Sequence, residues 1–274
     1  YLYLQQVRDA NEVLFQRAAL DNLAEILPLV YTPTVGQACL EWGRRFVRPH
    51  GLTITPRDRG RVAAVLRNWP HRDVGMIVAT DGGRILGLGD LGANGMGIPV
   101  GKLALYTLCA GIDPARCLPV MLDVGTDNVA LRDDPFYLGL REPRLAGPAY
   151  DELLDEFVAA VRSEFPAAVL QFEDFGNANA FRLLARHRDR LACFNDDIQG
   201  TGAMGLAALL AASRITGRGL AEERQGELGE VKDVTVKALP NREYEIQVKW
   251  TNSGKLPVAL EQAKLVKIVQ EDRV

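Results

Sequence analysis

Lysine is almost missing from most of this chain. Residues 1–218 contain one lysine, Lys102, against 22 arginines, whereas residues 219–274 contain six lysines and three arginines. Such a break suggests a domain boundary near Arg218-Gly219, with a body over 1–218 and a tail over 219–274. It also singles out Lys102. A guanidinium stays protonated at any ordinary pH, while an ammonium can lose its proton when desolvated, so a lone lysine among arginines is a candidate base. A surviving surface lysine is the alternative. Paired cysteines are missing too: Cys39, Cys109, Cys117 and Cys193 form no C-x-x-C pair. Buried free thiols in a cytosol-like compartment are expected, because 274 residues do not need disulfide staples. The three histidines stand at no ligand spacing from the cysteines, which excludes a zinc site of familiar pattern. A net charge of −3 leaves no basic footprint for nucleic acid. No apolar run reaches the roughly 20 residues that span a bilayer, so no membrane partner is expected. The first residues lack a secretory signal, and a cytoplasmic location is expected. The chain starts at Tyr1 rather than Met and reads as a fragment.

What is present alternates. Residues 11–29 carry apolar side chains at helical spacing, ending before Tyr31-Thr-Pro-Thr. Residues 74–80 and 84–88 predict a β-hairpin across Asp81-Gly-Gly. A helix is expected over 99–110, with proline first. A strand at 118–124 and a helix at 151–165 follow, then strands at 169–172 and 191–194 and helices at 177–188 and 202–215. This order predicts an α/β layered domain with a mostly parallel sheet. The tail predicts a small β-rich unit, with strands at 231–238 and 244–250, a turn at Thr251-Asn-Ser-Gly and a further strand at 265–269.

Two acidic pairs close strands. Glu173 and Asp174 follow 169–172, and Asp196 and Asp197 follow 191–194. At the carboxyl ends of parallel strands such pairs face the ligand crevice, where a hard divalent cation, Mg²⁺ or Mn²⁺, would neutralise them. Helix N-capping is the alternative for either pair. Gly87, Gly89 and Gly92 satisfy G-x-G-x-x-G after a strand, but no helix is expected before Pro99 and Asp90 would face the phosphates. The run reads as a close-packed loop rather than a nucleotide site. Tyr31 sits on a proline-stiffened loop, where a nearby cation could lower its pKa for work as an acid. A core tyrosine is the alternative.

Together these segments resemble the catalytic domain of the malic enzymes, the NAD(P)-dependent oxidative decarboxylases of malate. The matching motifs are Tyr31-Thr-Pro-Thr-Val-Gly, Asp81-Gly-Gly-Arg-Ile-Leu-Gly-Leu-Gly-Asp-Leu-Gly, Gly95-Met-Gly-Ile-Pro-Val-Gly-Lys-Leu, Asp123-Val-Gly-Thr-Asp-Asn, Phe172-Glu-Asp-Phe and Phe194-Asn-Asp-Asp-Ile-Gln-Gly-Thr. The resemblance implies oxidative decarboxylation of malate to pyruvate and CO₂. Lys102 would be the base at the C2 hydroxyl, with Asp196 hydrogen-bonded to it, and Tyr31 would protonate C3. Arg84 would hold the substrate carboxylate and contribute to cofactor binding. Glu173, Asp174 and Asp197 would bind Mg²⁺ or Mn²⁺, while Asn177, Asp197 and Thr201 would lie near NAD or NADP. Malate, pyruvate or oxaloacetate and a homo-oligomer are the implied partners. The tail is faintly similar to a β segment that follows the catalytic domain in zinc carboxypeptidases.

The malic enzymes continue after the segment matched by 212–218 into a dinucleotide-binding domain, and here the lysine-rich tail follows instead. That departure leaves a second expectation: a non-redox module that binds a metal and a dicarboxylate, with residual oxaloacetate decarboxylation at most.

Overall fold

The computed structural model describes residues 1–45, 48, 50–216, 224–225, 229–238 and 244–252. The chain divides into two compact units, one of Tyr1–Gly176 with Leu183–Phe194, the other of Asn177–Arg182 with Asn195–Val274.

The first unit opens with four helices, α1 (Leu2–Ala10), α2 (Glu12–Asp21), α3 (Leu23–Val30) and α4 (Thr34–Leu40). The single helix expected over 11–29 is broken at Asn22, which lies between α2 and α3 outside the helical region of φ and ψ. The Asn11 side chain caps α2 by accepting from the Leu14 N–H. Then follow β1 (Leu52–Ile54), α5 (Val62–Leu66), β2 (Met76–Thr80), α6 (Gly97–Ala110), β3 (Cys117–Leu122), α7 (Val129–Asp133), α8 (Pro148–Glu164) and β4 (Val169–Phe172). Helix α9 (Asn177–His187) and β5 (Cys193–Asn195) complete this stretch.

These strands form one sheet in the order β1-β3-β2-β4-β5. The pairings of β1 with β3, β2 with β3 and β2 with β4 are all parallel. Every residue of β2 and β3 is buried. That suits central strands covered on both faces, whose sequences run apolar without alternation. Helix α6 packs on the sheet through Leu103, which joins Met76, Val78 and Cys117, with Tyr106 and Val169 against them.

The hairpin expected after β2 does not form. Both edges of β2 are taken by β3 and β4, strands distant in sequence, and 84–88 makes only a bridge from Ile85 to Gly89. The helix expected from Pro99 begins at Gly97, and a 3₁₀ turn over Gly92–Met96 leads into it. The glycine run does pack closely. Gly82 has φ of +62°, and a side chain there would strike the Gly92 carbonyl.

In the second unit Asp196–Gly200 forms one π-helical turn running into α10 (Thr201–Thr216). Strands β6 (Arg224–Gln225), β7 (Gly229–Ala238) and β8 (Tyr244–Asn252) form an antiparallel sheet. Thr251 and Asn252, expected in a turn, still pair with Glu230 and Gly229. The strand expected at 265–269 lies outside the described residues. No helix among the described residues is long and apolar enough to cross a membrane. All four cysteines are free; Cys39 and Cys117 are buried, but Cys109 is exposed, contrary to the expectation of buried thiols throughout.

Candidate active site

Lys102 is the sixth residue of α6 and its side chain is largely buried. Its Nζ lies 2.9 Å from Glu173 Oε1, and Glu173 is buried just beyond the end of β4. Desolvating two charges is costly unless they meet closely and their remaining valences are satisfied. Here the carboxylate's other oxygen, Oε2, accepts from Gln171 Nε2 at 2.6 Å, and Gln171 Oε1 accepts from the Tyr106 hydroxyl at 2.5 Å.

Tyr31 follows the last residue of α3 and packs on the cluster of Val35, Cys39, Ile85, Leu91 and Ile98. The Lys102 ammonium sits over its ring, 5.3 Å from the centroid. The approach depends on Gly101, because a Cβ there would come within 2.8 Å of Tyr31 Cδ2. The expected lowering of the Tyr31 pKa is not what results. Burial dominates and, with the Glu173 charge, pushes the phenol above its ordinary value, while Lys102 pulls the other way with less effect. The phenol therefore keeps its proton across the neutral range.

Asp174 is buried and takes φ of +56°, a left-handed conformation that aspartate tolerates better than most residues. Its carbonyl accepts the Arg84 N–H at 2.9 Å, which ties the Arg84 loop to the end of β4. The Arg84 residue is exposed. Helix capping does not explain Glu173 and Asp174: the N-cap of α9 is Gly176, with no side-chain cap and no acid in the first turn.

The loop before Arg84 has its own buried anchor. Asp81 is fully buried; its carboxylate accepts from the Tyr150 hydroxyl at 2.8 Å, from the Gly83 N–H at 2.9 Å, and pairs with Arg144 at 2.8 Å. Arg144 also reaches Asp90 at 3.0 Å and donates to the Asp81 and Gly125 carbonyls. Arg144 and Tyr150, and their pairing with Asp81 and Asp90, escaped the sequence reading, since partners 63 positions apart leave no local pattern.

Thus Tyr31, Lys102, Glu173, Asp174 and the Arg84 backbone meet in the first unit. Asn177, Asp196, Asp197 and Thr201 belong to the second. There the Asn195 side chain accepts the Ile198 N–H at 3.1 Å and the Gln199 side chain accepts the Asn195 N–H at 3.0 Å, which shapes the turn carrying both aspartates. Among the described residues no three His, Cys, Asp or Glu side chains are gathered as a metal cage. Two adjacent buried carboxylates, Glu173 and Asp174, are nevertheless the hard oxygen donors that suit Mg²⁺ or Mn²⁺.

The model for the malic enzyme N-terminal domain matches residues 8–188, and the chain belongs to that family. A second model, a domain of unknown function (DUF8731), matches residues 229–274. The chain is 58% identical over 217 residues to an NADP-dependent malic enzyme of Anas platyrhynchos, covering 79% of this chain and 39% of that protein. It is 54% identical over 224 residues to the NADP-dependent malic enzyme of Homo sapiens, covering 81% of this chain and 39% of that protein. The crystal structure of an NAD-dependent malic enzyme from Thermotoga maritima overlaps 73% of this chain and 41% of its own, with 24% identity and a TM-score of 0.39. The chain thus spans about two-fifths of the length of the curated relatives it matches.

Proposed function

We propose that this chain carries the substrate- and metal-binding half of a malate-decarboxylating oxidoreductase site, working with NAD or NADP. The observation that carries the reading is the buried meeting of the body's one lysine with Glu173 beneath the Tyr31 ring. Once deprotonated, Lys102 would accept the proton of the malate C2 hydroxyl as a hydride leaves C2 for NAD⁺ or NADP⁺. The Lys102 ammonium then returns that proton to the C2 oxygen as the C3–C4 bond breaks and CO₂ leaves. The bond's electrons form the C2–C3 double bond of an enol, whose hydroxyl proton passes back to the amine as C3 is protonated. Tyr31, whose phenol holds its proton in this buried position, delivers that proton to C3 to give pyruvate. Exposed Arg84 offers its guanidinium fork to the substrate carboxylate, on a backbone fixed at Asp174. By the family resemblance Asp196 would be the hydrogen-bond partner of Lys102, and Asn177 and Thr201 would lie near the nicotinamide.

Glu173, Asp174 and Asp197 would hold Mg²⁺ or Mn²⁺. When bound, such an ion acts as a Lewis acid, drawing electrons toward the C2 oxygen. NADP is the cofactor named for the relatives, which supports a nicotinamide partner without choosing between the two forms.

The test is release of CO₂ from oxaloacetate by the purified chain with Mn²⁺, which needs no nucleotide. Lys102→Ala should lower the rate by about 10²–10⁴-fold, the usual worth of a positioned proton-transfer group. An unchanged rate in that variant would remove Lys102 from the chemistry and end the reading.

A further inference from the structure

Gln171 and Tyr106 have no part in the roles above, yet they are built into the site. Alternation along β4 puts Val169, Gln171 and Glu173 on one side, and helical spacing puts Lys102 and Tyr106 one turn apart on α6. The two faces meet in two rungs, Tyr106 with Gln171 by a 2.5 Å hydrogen bond and Lys102 with Glu173 by a 2.9 Å ion pair, while Tyr106 and Val169 both pack on the cluster around Leu103. Gln171 Nε2 donating to Glu173 Oε2 at 2.6 Å joins the two rungs.

We propose that Gln171 is a positioning residue that fixes the plane of the Glu173 carboxylate, and that Tyr106 selects the amide orientation this requires. The inference rests on the reading of Lys102 and Glu173 as site residues. A carboxylate held at one oxygen can pivot about its terminal bond. Held at Oε1 by an ammonium and at Oε2 by an amide N–H, it cannot pivot without losing a buried contact. The amide could equally be inserted the other way round, which would press its carbonyl against the carboxylate, two acceptors face to face. The Tyr106 hydroxyl, donating to Gln171 Oε1, favours the productive orientation. Gln171 is fully buried, so water cannot replace either partner.

The experiment uses the full chain labelled with ¹⁵N. The Gln171 side-chain amide should show one downfield, slowly exchanging proton. Tyr106→Phe should speed that exchange several-fold while the backbone amides of β4 keep their protection. An unaltered Gln171 signal in Tyr106→Phe overturns the proposal whatever the chain's activity. A second measurement titrates Mn²⁺ alone. Hydrogen-bond partners of metal-ligating groups are worth about 10–100-fold in affinity, so Tyr106→Phe and Gln171→Met should each weaken binding about 10-fold. The double variant should be no weaker than either one, because Tyr106 acts through Gln171. Losses that multiply, or affinities that match the unsubstituted chain, count against the proposal. If Glu173→Gln leaves Mn²⁺ binding intact, the metal-site reading falls instead, and the exchange measurement still judges the brace.

Discussion

Two buried cations in the first unit are handled in opposite ways. Arg144 is surrounded by acceptors: the carboxylates of Asp81 and Asp90 and the carbonyls of Asp81 and Gly125. Asp81 in turn is filled by Tyr150 and the Gly83 N–H. Both terminal nitrogens of the guanidinium have partners, and a permanently charged planar group suits that task. Lys102 has a carboxylate on one side and an aromatic ring beneath. It is the chain's only lysine before residue 219. The first arrangement secures a loop; the second is the one we propose for the chemistry.

Lys102→Arg is the most direct way to break that contrast, and it should have the largest effect. The charge and a contact to Glu173 survive, but a guanidinium neither gives up nor takes back a proton at ordinary pH, so decarboxylation of oxaloacetate should fall by about 10²-fold or more with the melting temperature nearly kept. Arg144→Ala is the converse. It strands Asp81 and Asp90 and should cost about 3–5 kcal/mol in urea unfolding, the usual penalty for removing one partner of a buried pair. A near-neutral result there would mean that the cluster is not what holds the loop. Tyr150→Phe removes one hydrogen bond from the same aspartate and should cost about 1–3 kcal/mol, without touching the Lys102 pair.

His187 sharpens the comparison from a third side, as a buried base with no hydrogen bond from either ring nitrogen. Asp155 lies 3.5 Å away and Phe172 is 6.4 Å between ring centroids, while Arg186, Arg190 and Asp151 also bear on it. Burial leads and holds its pKa below the ordinary histidine value of 6.5, with Arg186 and Arg190 adding and the two aspartates opposing. The folded chain thus binds this proton less readily than the unfolded one. Its contribution to stability is complete above about pH 6.5 and drains away as the solution is acidified. The smallest of the expected effects is that His187→Gln flattens the acid side of a melting-temperature profile between pH 7 and 5. An identical slope in both chains would show that other groups set it.

Much of this layout was readable from the sequence, for a local reason. Strand 169–172 and the helices at 99–110, 151–165, 177–188 and 202–215 announce themselves by period, capping and proline, and their structural counterparts lie within three residues at each end. The hairpin failed because alternation and a glycine turn say that a strand exists, but not which strand pairs with it. For β2 the partners come from 117–121 and 169–172. Lys102 was conspicuous by counting alone. Its rung partners were not: Gln171 is one polar residue in an apolar strand, and nothing local links it to a tyrosine 65 positions earlier. The direction of the Tyr31 shift was open in the sequence for a related reason, since a neighbouring cation is visible in a motif and the depth of burial is not.

Gly101 settles how close the amine and the phenol stand. Its hydrogen occupies the space where any other residue would put a carbon, and the Val30 carbonyl borders the same spot at 3.2 Å. Replacing that hydrogen with a methyl would wedge the ring off the helix while leaving every titratable group in the protein unaltered. The two groups to which we assign the proton transfers would both survive, too far apart to serve one substrate.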